Sequence, residues 1–373
     1  MKLRRNHFVW KGAGCLLALL LLAGSPVAAE EAPREMTKER VDLSVESGLQ
    51  WLAACQVREG GAAGSWASAK YPSAVTGLAG LAFLANGHTP GSGKYGSVVE
   101  RALAYTKTTM TQDGYAGSIG DSMYVHAIST LFALSCLGMQ DDAARDDELV
   151  AWCRKAVDLI IEAQKVSKPK AEMGGWRYTP TSRESDLSVT SWQMLCLLAA
   201  RQCGFKVEES VINAAMNHVN NAFVELPDGR CGFVYRPGLD TVPEFGVTGT
   251  AILMKAVFES RVDSKMLGSI QYLKSFEVGW GGGQYRGYFF VSTLYMMQGF
   301  FQMGGPDYDV YLGKVRKVLL EQQKGDGHWP YPAGSNAERM GVGPVYPTAM
   351  ATLILAIDRQ YLPVFQRQRS LFR

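Results

Sequence analysis

A phrase repeated six times constrains this chain more than any other feature. A small hydroxyl residue, once a histidine, opens a nearly all-apolar stretch at Thr76, His126, Thr190, Thr248, Ser292 and Thr348, with spacings of 50, 64, 58, 44 and 56 residues. Typical instances read Ala-Val-Thr76-Gly-Leu-Ala-Gly-Leu and Gly-Val-Thr248-Gly-Thr-Ala-Ile-Leu. A steady phrase at irregular spacing means repeated units joined by loops of variable length. Each apolar stretch runs for 10 to 15 residues, is rich in Ala, Leu and Met, and is apolar around most of its circumference, which predicts a buried helix. Upstream lie segments with one polar face, such as 41–55, 149–164 and 311–323, which read as amphipathic outer helices. A Gly-aromatic turn separates the two in every unit: Gly64-Ser65-Trp66, Gly114-Tyr115, Gly174-Gly175-Trp176, Gly232-Phe233, Gly279-Trp280-Gly281 and Gly327-His328-Trp329.

Six outer-inner pairs give twelve helices. An open stack of pairs would need polar caps at its ends, yet the first and last inner stretches are as apolar as the rest. Closing the stack into a ring removes both ends. The expected fold is therefore all-α, an (α/α)6 toroid with six inner helices as a barrel inside six outer ones, forming one domain over residues 30–373. The 40 glycines find a use in the turns and in the small residues that open the inner helices.

Residues 1–29 are set apart from this domain. Lys2, Arg4, Arg5 and Lys11 precede an apolar run from Ala13 to Ala23, and Ser25-Pro26-Val27-Ala28-Ala29 supplies small residues for cleavage after Ala29. This pattern is that of a secretory signal, and the run is shorter than the roughly 20 residues that span a bilayer. Export to the periplasm or outside the cell is expected, with no stable membrane span. Formal charge falls from +3 to −1 once these four cations are removed, which excludes the broad basic field of a nucleic-acid binder. Of the remaining cysteines, Cys55, Cys136, Cys153, Cys196, Cys203 and Cys231, none stands in a C-x-x-C pair or beside a suitably spaced histidine. No metal or other cofactor is expected.

The repeat, together with Gln322-Gln323-Lys324-Gly325-Asp326-Gly327-His328-Trp329, resembles the terpenoid-cyclase and protein-prenyltransferase superfamily, whose members carry a Q-x(2–5)-G-x-W signature between outer and inner helices. Looser versions stand at Gln112-Asp113-Gly114-Tyr115, Gln56 to Trp66 and Gln164 to Trp176. In the squalene-cyclase branch the resemblance implies an acidic D-x-D-D-T motif whose middle Asp protonates an alkene or epoxide. The corresponding phrase here is Asp186-Leu187-Ser188-Val189-Thr190, with Ser188 in the place of that acid. The zinc-binding D-x-C phrase of the prenyltransferase β-subunit is missing, Asp228 and Cys231 being three apart, and so is the C-G-E-Q phrase of complement-type thioester domains, Cys55-Gln56 being adjacent. What remains is the superfamily without its familiar active sites.

Four residues before each anchor, at the mouths of the inner helices, Asp186 and Glu244 occupy equivalent columns, with Asp121 one residue off. They could act as an acid/base pair or orient a ligand, or they could simply cap helix N-termini. His126 could shuttle a proton or be a hydrogen-bonded core residue. Tyr124, Trp192, Phe245, Tyr288, Phe289, Phe290, Tyr295 and Tyr346, with Thr190, gather near the same mouths and could line an apolar cavity or pack helix on helix. The expected function is binding or transformation of a hydrophobic, isoprenoid-like ligand. The alternatives are a glycan-active (α/α)6 hydrolase or lyase with paired carboxylates, and a non-catalytic protein-interaction ring.

Overall fold

The computed structural model describes residues 37–66, 70–118, 121–140, 142–259 and 262–367; the segment read as an export signal lies outside them. Helices follow one another in the order α1 (Lys38–Cys55), α2 (Pro72–Leu84), α3 (Gly96–Thr108), α4 (Met123–Ser135), α5 (Ala143–Gln164), α6 (Leu187–Gln202), α7 (Glu209–Asn221), α8 (Phe245–Phe258), α9 (Ser264–Lys274), α10 (Phe289–Met303), α11 (Gly305–Gln322), a single turn α12 (Asn336–Arg339) and α13 (Val345–Leu355). The apolar stretches form α2, α4, α6, α8, α10 and α13, each buried over nearly all of its length. They pack in a closed cycle, α2 on α4, α4 on α6, α6 on α8, α8 on α10, α10 on α13 and α13 back on α2. The all-α (α/α)6 toroid is thus the observed architecture. Among the described residues no helix is long and apolar enough to cross a membrane.

One detail differs from the sequence reading, which paired each outer helix with the inner helix that follows it. Outer helices pack mainly on the inner helix before them, α3 on α2, α5 on α4, α9 on α8 and α11 on α10, while α7 packs equally on α6 and α8. The reason lies in the connections, because inner-to-outer links are short and make antiparallel hairpins, whereas outer-to-inner links carry the long Gly-aromatic loops. Among the described residues no inner helix precedes α1, and it packs on α13. The first helix of the ring therefore backs the last.

The Gln-Trp phrase explains how the layers are clasped. Indole Nε1 of Trp66, Trp176 and Trp329 donates to the carbonyl of Leu52, Ile160 and Leu319, at 2.7, 2.8 and 2.7 Å, each four residues before the glutamine of its phrase. The glutamine amide then donates twice, to its own glycine turn and to the next outer helix. Gln164 Nε2 reaches Gly174 O and Val211 O, and Gln323 Nε2 reaches Gly327 O and Ser44 O. At Gly174 and Gly327 the turn has φ of +86° and +100°, and an added Cβ would lie 2.0 and 2.4 Å from the carbonyl oxygens of Ala214 and Ser47 in the next outer helix. Only glycine tolerates both conditions.

The anchor residues complete the clasp. Thr76, Thr190 and Thr348 accept, through Oγ1, the backbone N–H of Trp66, Trp176 and Trp329, and Thr248 does the same for Phe233. The fourth unit has no tryptophan; there a small antiparallel hairpin, β1 (Phe223–Glu225) with β2 (Cys231–Phe233), carries the aromatic residue. Among the described residues this hairpin, with the isolated bridges Gln56–Trp66, Met110–Ala116 and Trp176–Asp186, is extended pairing that the all-α expectation did not include.

Candidate functional site

The hydroxyl anchors point outward to the turns, so the residues two before and two after each anchor, about 200° around the helix, face the ring axis. At the mouth this layer consists of Ala74, Tyr124, Ser188, Gly246, Phe290 and Tyr346, three large rings and three small residues, with Phe290 and Tyr346 on neighbouring helices. Tyr124, Ser188 and Tyr346 are half-buried, and Tyr346 lies between the rings of Phe290 and Tyr331, at 6.0 and 6.1 Å. One level down come Leu78, Ile128, Trp192, Thr250, Leu294 and Met350, all buried. Here Trp192 of α6 meets Tyr295 of α10 at 6.3 Å, although α8 separates those helices in the ring. Their side chains therefore cross the axis and form a floor. Tyr124, Ser188 and Tyr346 thus stand around the mouth with Trp192 and Tyr295 beneath them; Ser188 Oγ sits 3.3 Å from the Tyr295 hydroxyl.

Three of the residues expected at this site face away from it. His126 stands in the threonine column: its Nδ1 accepts the Ala116 N–H at 2.9 Å, which fixes the proton on Nε2, and Nε2 donates to Ala156 O at 3.1 Å. With both nitrogens engaged and burial pushing its pKa down to about 4, it is a neutral structural imidazole, not a proton shuttle. Thr190 is held by the Trp176 N–H. Phe245, three residues before its anchor, packs edge-on against Phe276 and Tyr285 at 5.4 and 5.3 Å.

The carboxylates are placed separately. Asp186 is fully buried and caps α6, its Oδ1 accepting the Val189 N–H at 2.8 Å, while Oδ2 has no hydrogen-bond partner. Burial pushes its pKa up to about 7, against the opposing pull of the Val189 N–H, the Tyr235 hydroxyl and Arg177. Arg177 Nε lies 3.8 Å from that free oxygen. Glu244 caps nothing with its side chain and pairs with Arg286, and its pKa is raised by burial. Among the described residues the two acids share no hydrogen-bond partner, and each faces its own arginine. Asp121 folds back on its own loop, accepting the Ser118 N–H at 2.8 Å. Tyr288 is 47% exposed on the rim.

Sequence reasoning did not select the residues that surround Asp186. Tyr178 and Tyr235, from the loops entering α6 and α8, bring their hydroxyls within 2.9 Å of each other, and the Tyr178 ring lies 6.3 Å from Tyr124. Arg177 stacks over the Tyr178 ring, and Arg236 binds the buried Glu172 through Nε and Nη2 at 3.1 and 2.6 Å. A signal for both loops was present in Trp176-Arg177-Tyr178 and Phe233-Val234-Tyr235-Arg236, a tyrosine-arginine neighbour pair within three residues of the turn aromatic. At the opposite end of the ring, a cavity of about 620 Å³ is lined by α1 with Asn86, His88 and Arg359, and it includes none of the expected site residues. Among the described residues no group of three His, Cys, Asp or Glu is placed to hold a metal.

No protein-family model matches the chain, and no curated protein matches it. Solved structures do. The type II terpene cyclase MstE from Scytonema, without ligand, aligns with 87% of this chain and 100% of its own at 12% identity and a TM-score of 0.55. A variant of that enzyme in complex with geranylgeranyl dihydroxybenzoate aligns with 87% of this chain and 98% of its own at 12% identity and a TM-score of 0.55. The GH76A α-1,6-mannanase of Salegentibacter sp. HEL1_6 aligns with 87% of this chain and 100% of its own at 9% identity and a TM-score of 0.56. At such identities the likeness carries fold alone: this chain has the helical toroid on which a terpene cyclase and a glycan hydrolase are both built.

Proposed function

We propose that the protein, exported by its leader, binds an extended apolar ligand of isoprenoid type at the mouth of the inner ring and holds it without protonating it. The observation that carries this reading is the composition of the axis-facing mouth layer: Tyr124, Phe290 and Tyr346 offer aromatic walls, and Ser188, where a cyclase acid would stand, offers only a hydroxyl. A serine cannot protonate an alkene. Asp186 is committed to helix capping and is shut off from the mouth. The terpene cyclase neighbour, whose complex contains a geranylgeranyl compound, makes an isoprenoid the natural first ligand to test.

A glycan reading would call for open tryptophan platforms and a pair of unencumbered carboxylates. Trp192 is instead buried in the floor, and Asp186 and Glu244 each face an arginine. A second reading, docking of a protein partner, is supported by exposed Met173, Leu239, Val242 and Met340 on the loops at the mouth end. Mass spectrometry of lipids extracted from the purified protein separates the two. The binding reading expects an unmodified isoprenoid near one per chain; a lipid-free protein that captures only oligosaccharide or only a protein would overturn it.

A further inference from the structure

The cavity at the end of the ring opposite the mouth holds about 620 Å³, a volume typical of small-molecule sites. One wall is the first half of α1, and the other is the link that follows α2, joined by Arg359. On the link, Asn86 is only 8% exposed, and its Nδ2 donates back to Ala82 O at 2.8 Å, which leaves Oδ1 without a partner. A buried carbonyl with nothing to accept is rare and carries a desolvation cost until a donor arrives. His88, two residues on, sets its ring edge-on to Tyr95 at 4.9 Å, and its ring nitrogens carry no hydrogen bond among the described residues. Burial lowers its pKa, with Lys94 and Arg359 acting the same way and Glu46 opposing, so the imidazole is neutral, one nitrogen a donor and the other an acceptor. The charges around these two groups are already matched. Arg359 pairs with Asp42 Oδ1, and Lys94 with Glu46 Oε1, which also accepts the Tyr95 hydroxyl at 2.8 Å. The other two lining charges, exposed Lys38 and Glu39, are neighbours of opposite sign. A charged ligand therefore finds no surplus of counter-charge, whereas a neutral one with several hydroxyls finds donors and acceptors on both walls, and Leu43, Val45 and Leu49 for its C–H face.

We propose that this cavity is a binding site for a neutral saccharide, one sugar hydroxyl donating to Asn86 Oδ1, a second meeting the His88 ring, and others reaching the second carboxylate oxygens of Asp42 and Glu46. The assignment is independent of the lipid reading, which concerns the other end of the ring.

Saturation-transfer NMR on the full mature chain with maltose, cellobiose and trehalose, each alone, tests it, with spermidine and citrate as charged comparisons. At least one disaccharide is expected to bind. Asn86→Leu, His88→Phe and Leu43→Trp should each weaken that binding by about tenfold, the first two by removing hydrogen-bonding atoms and the third by filling the cavity. His88→Phe keeps a ring against Tyr95, and Leu43→Trp acts from a position 63% exposed, so neither reads through loss of the fold. Failure of all three disaccharides to bind, an affinity unchanged in all three variants, or binding of spermidine or citrate in their place overturns the saccharide site. Geranylgeraniol binding at the mouth should be the same in these variants as in the wild type, so a failure of the lipid reading is seen separately.

Discussion

Trp329→Ala is expected to lower the stability of the ring by about 5 kcal/mol and to free α1 from it. Removing a fully buried tryptophan costs about 3–5 kcal/mol through lost burial and the cavity left behind. Loss of the indole N–H also strands the Leu319 carbonyl, which adds about 1 kcal/mol or more. The position matters because this clasp joins the two ends of the ring. Trp329 presses on Gly48 of α1, where an added Cβ would lie 2.8 Å from the indole, and neighbouring Gln323 exchanges two hydrogen bonds with Ser44. Denaturant titration should show the loss, and limited proteolysis should cut α1 first. Trp329→Phe keeps the ring but not the donor, and about 1–2 kcal/mol is expected for it. If Trp329→Ala unfolds no more easily than the wild type, the closed ring is wrong.

Asp186→Asn should stabilise the protein at pH 8, by about 3 kcal/mol, with the difference closing toward pH 4. The sign follows from linkage. Asp186 titrates at about 7 in the folded chain against an ordinary 3.8, so the folded state binds the proton more tightly than the unfolded chain does. Above pH 7 the wild type bears the full cost of a buried charge, about 4 kcal/mol; that cost lifts as pH falls from 7 to 4. The asparagine, an equally good cap, never bears it. His126 and His218 act the other way. Burial pushes both down to about 4, so below pH 6.5 the unfolded chain takes up protons that the folded chain refuses, and each removes up to about 3 kcal/mol between pH 6.5 and 4. In the wild type the aspartate offsets much of this acid loss; in Asp186→Asn that offset is gone, and only the other raised carboxyls, Glu244 and Asp121, still act in its direction. Stability curves of the two proteins that stay parallel from pH 4 to 8 would refute the burial of this charge.

The fold was legible because its signals are periodic. Six apolar stretches, six glycine corners and three Gln-Trp phrases each repeat, and one closed ring satisfies all of them. The anchor residues were visible too, but their direction was not. Thr190 and His126 look like cavity openers in a linear phrase, and only the turn folded back over the helix shows that they hold the N–H of Trp176 and Ala116. Phe245 was misread for a related reason, since one residue along a helix turns a side chain by about 100° and moves it from the axis to the outer layer. Asp186 and Glu244 occupy the same column, yet their chemistry is set by arginines delivered from elsewhere, Arg177 from an insertion within the third unit and Arg286 from the fifth. Loop-borne partners of variable spacing leave no periodic trace.

Ser188→Trp probes ligand binding at the mouth, because it fills the mouth from a half-buried position, leaves the clasps untouched and removes from the floor only the Ser188–Tyr295 hydroxyl contact. Geranylgeraniol binding to this variant, compared with the wild type in parallel with thermal unfolding, should weaken by about tenfold or more with the melting temperature little changed, and the ligand recovered from the wild type should be chemically unaltered. Equal affinity in the two proteins, or recovery of a cyclised product, would show that the mouth does not hold the ligand unchanged.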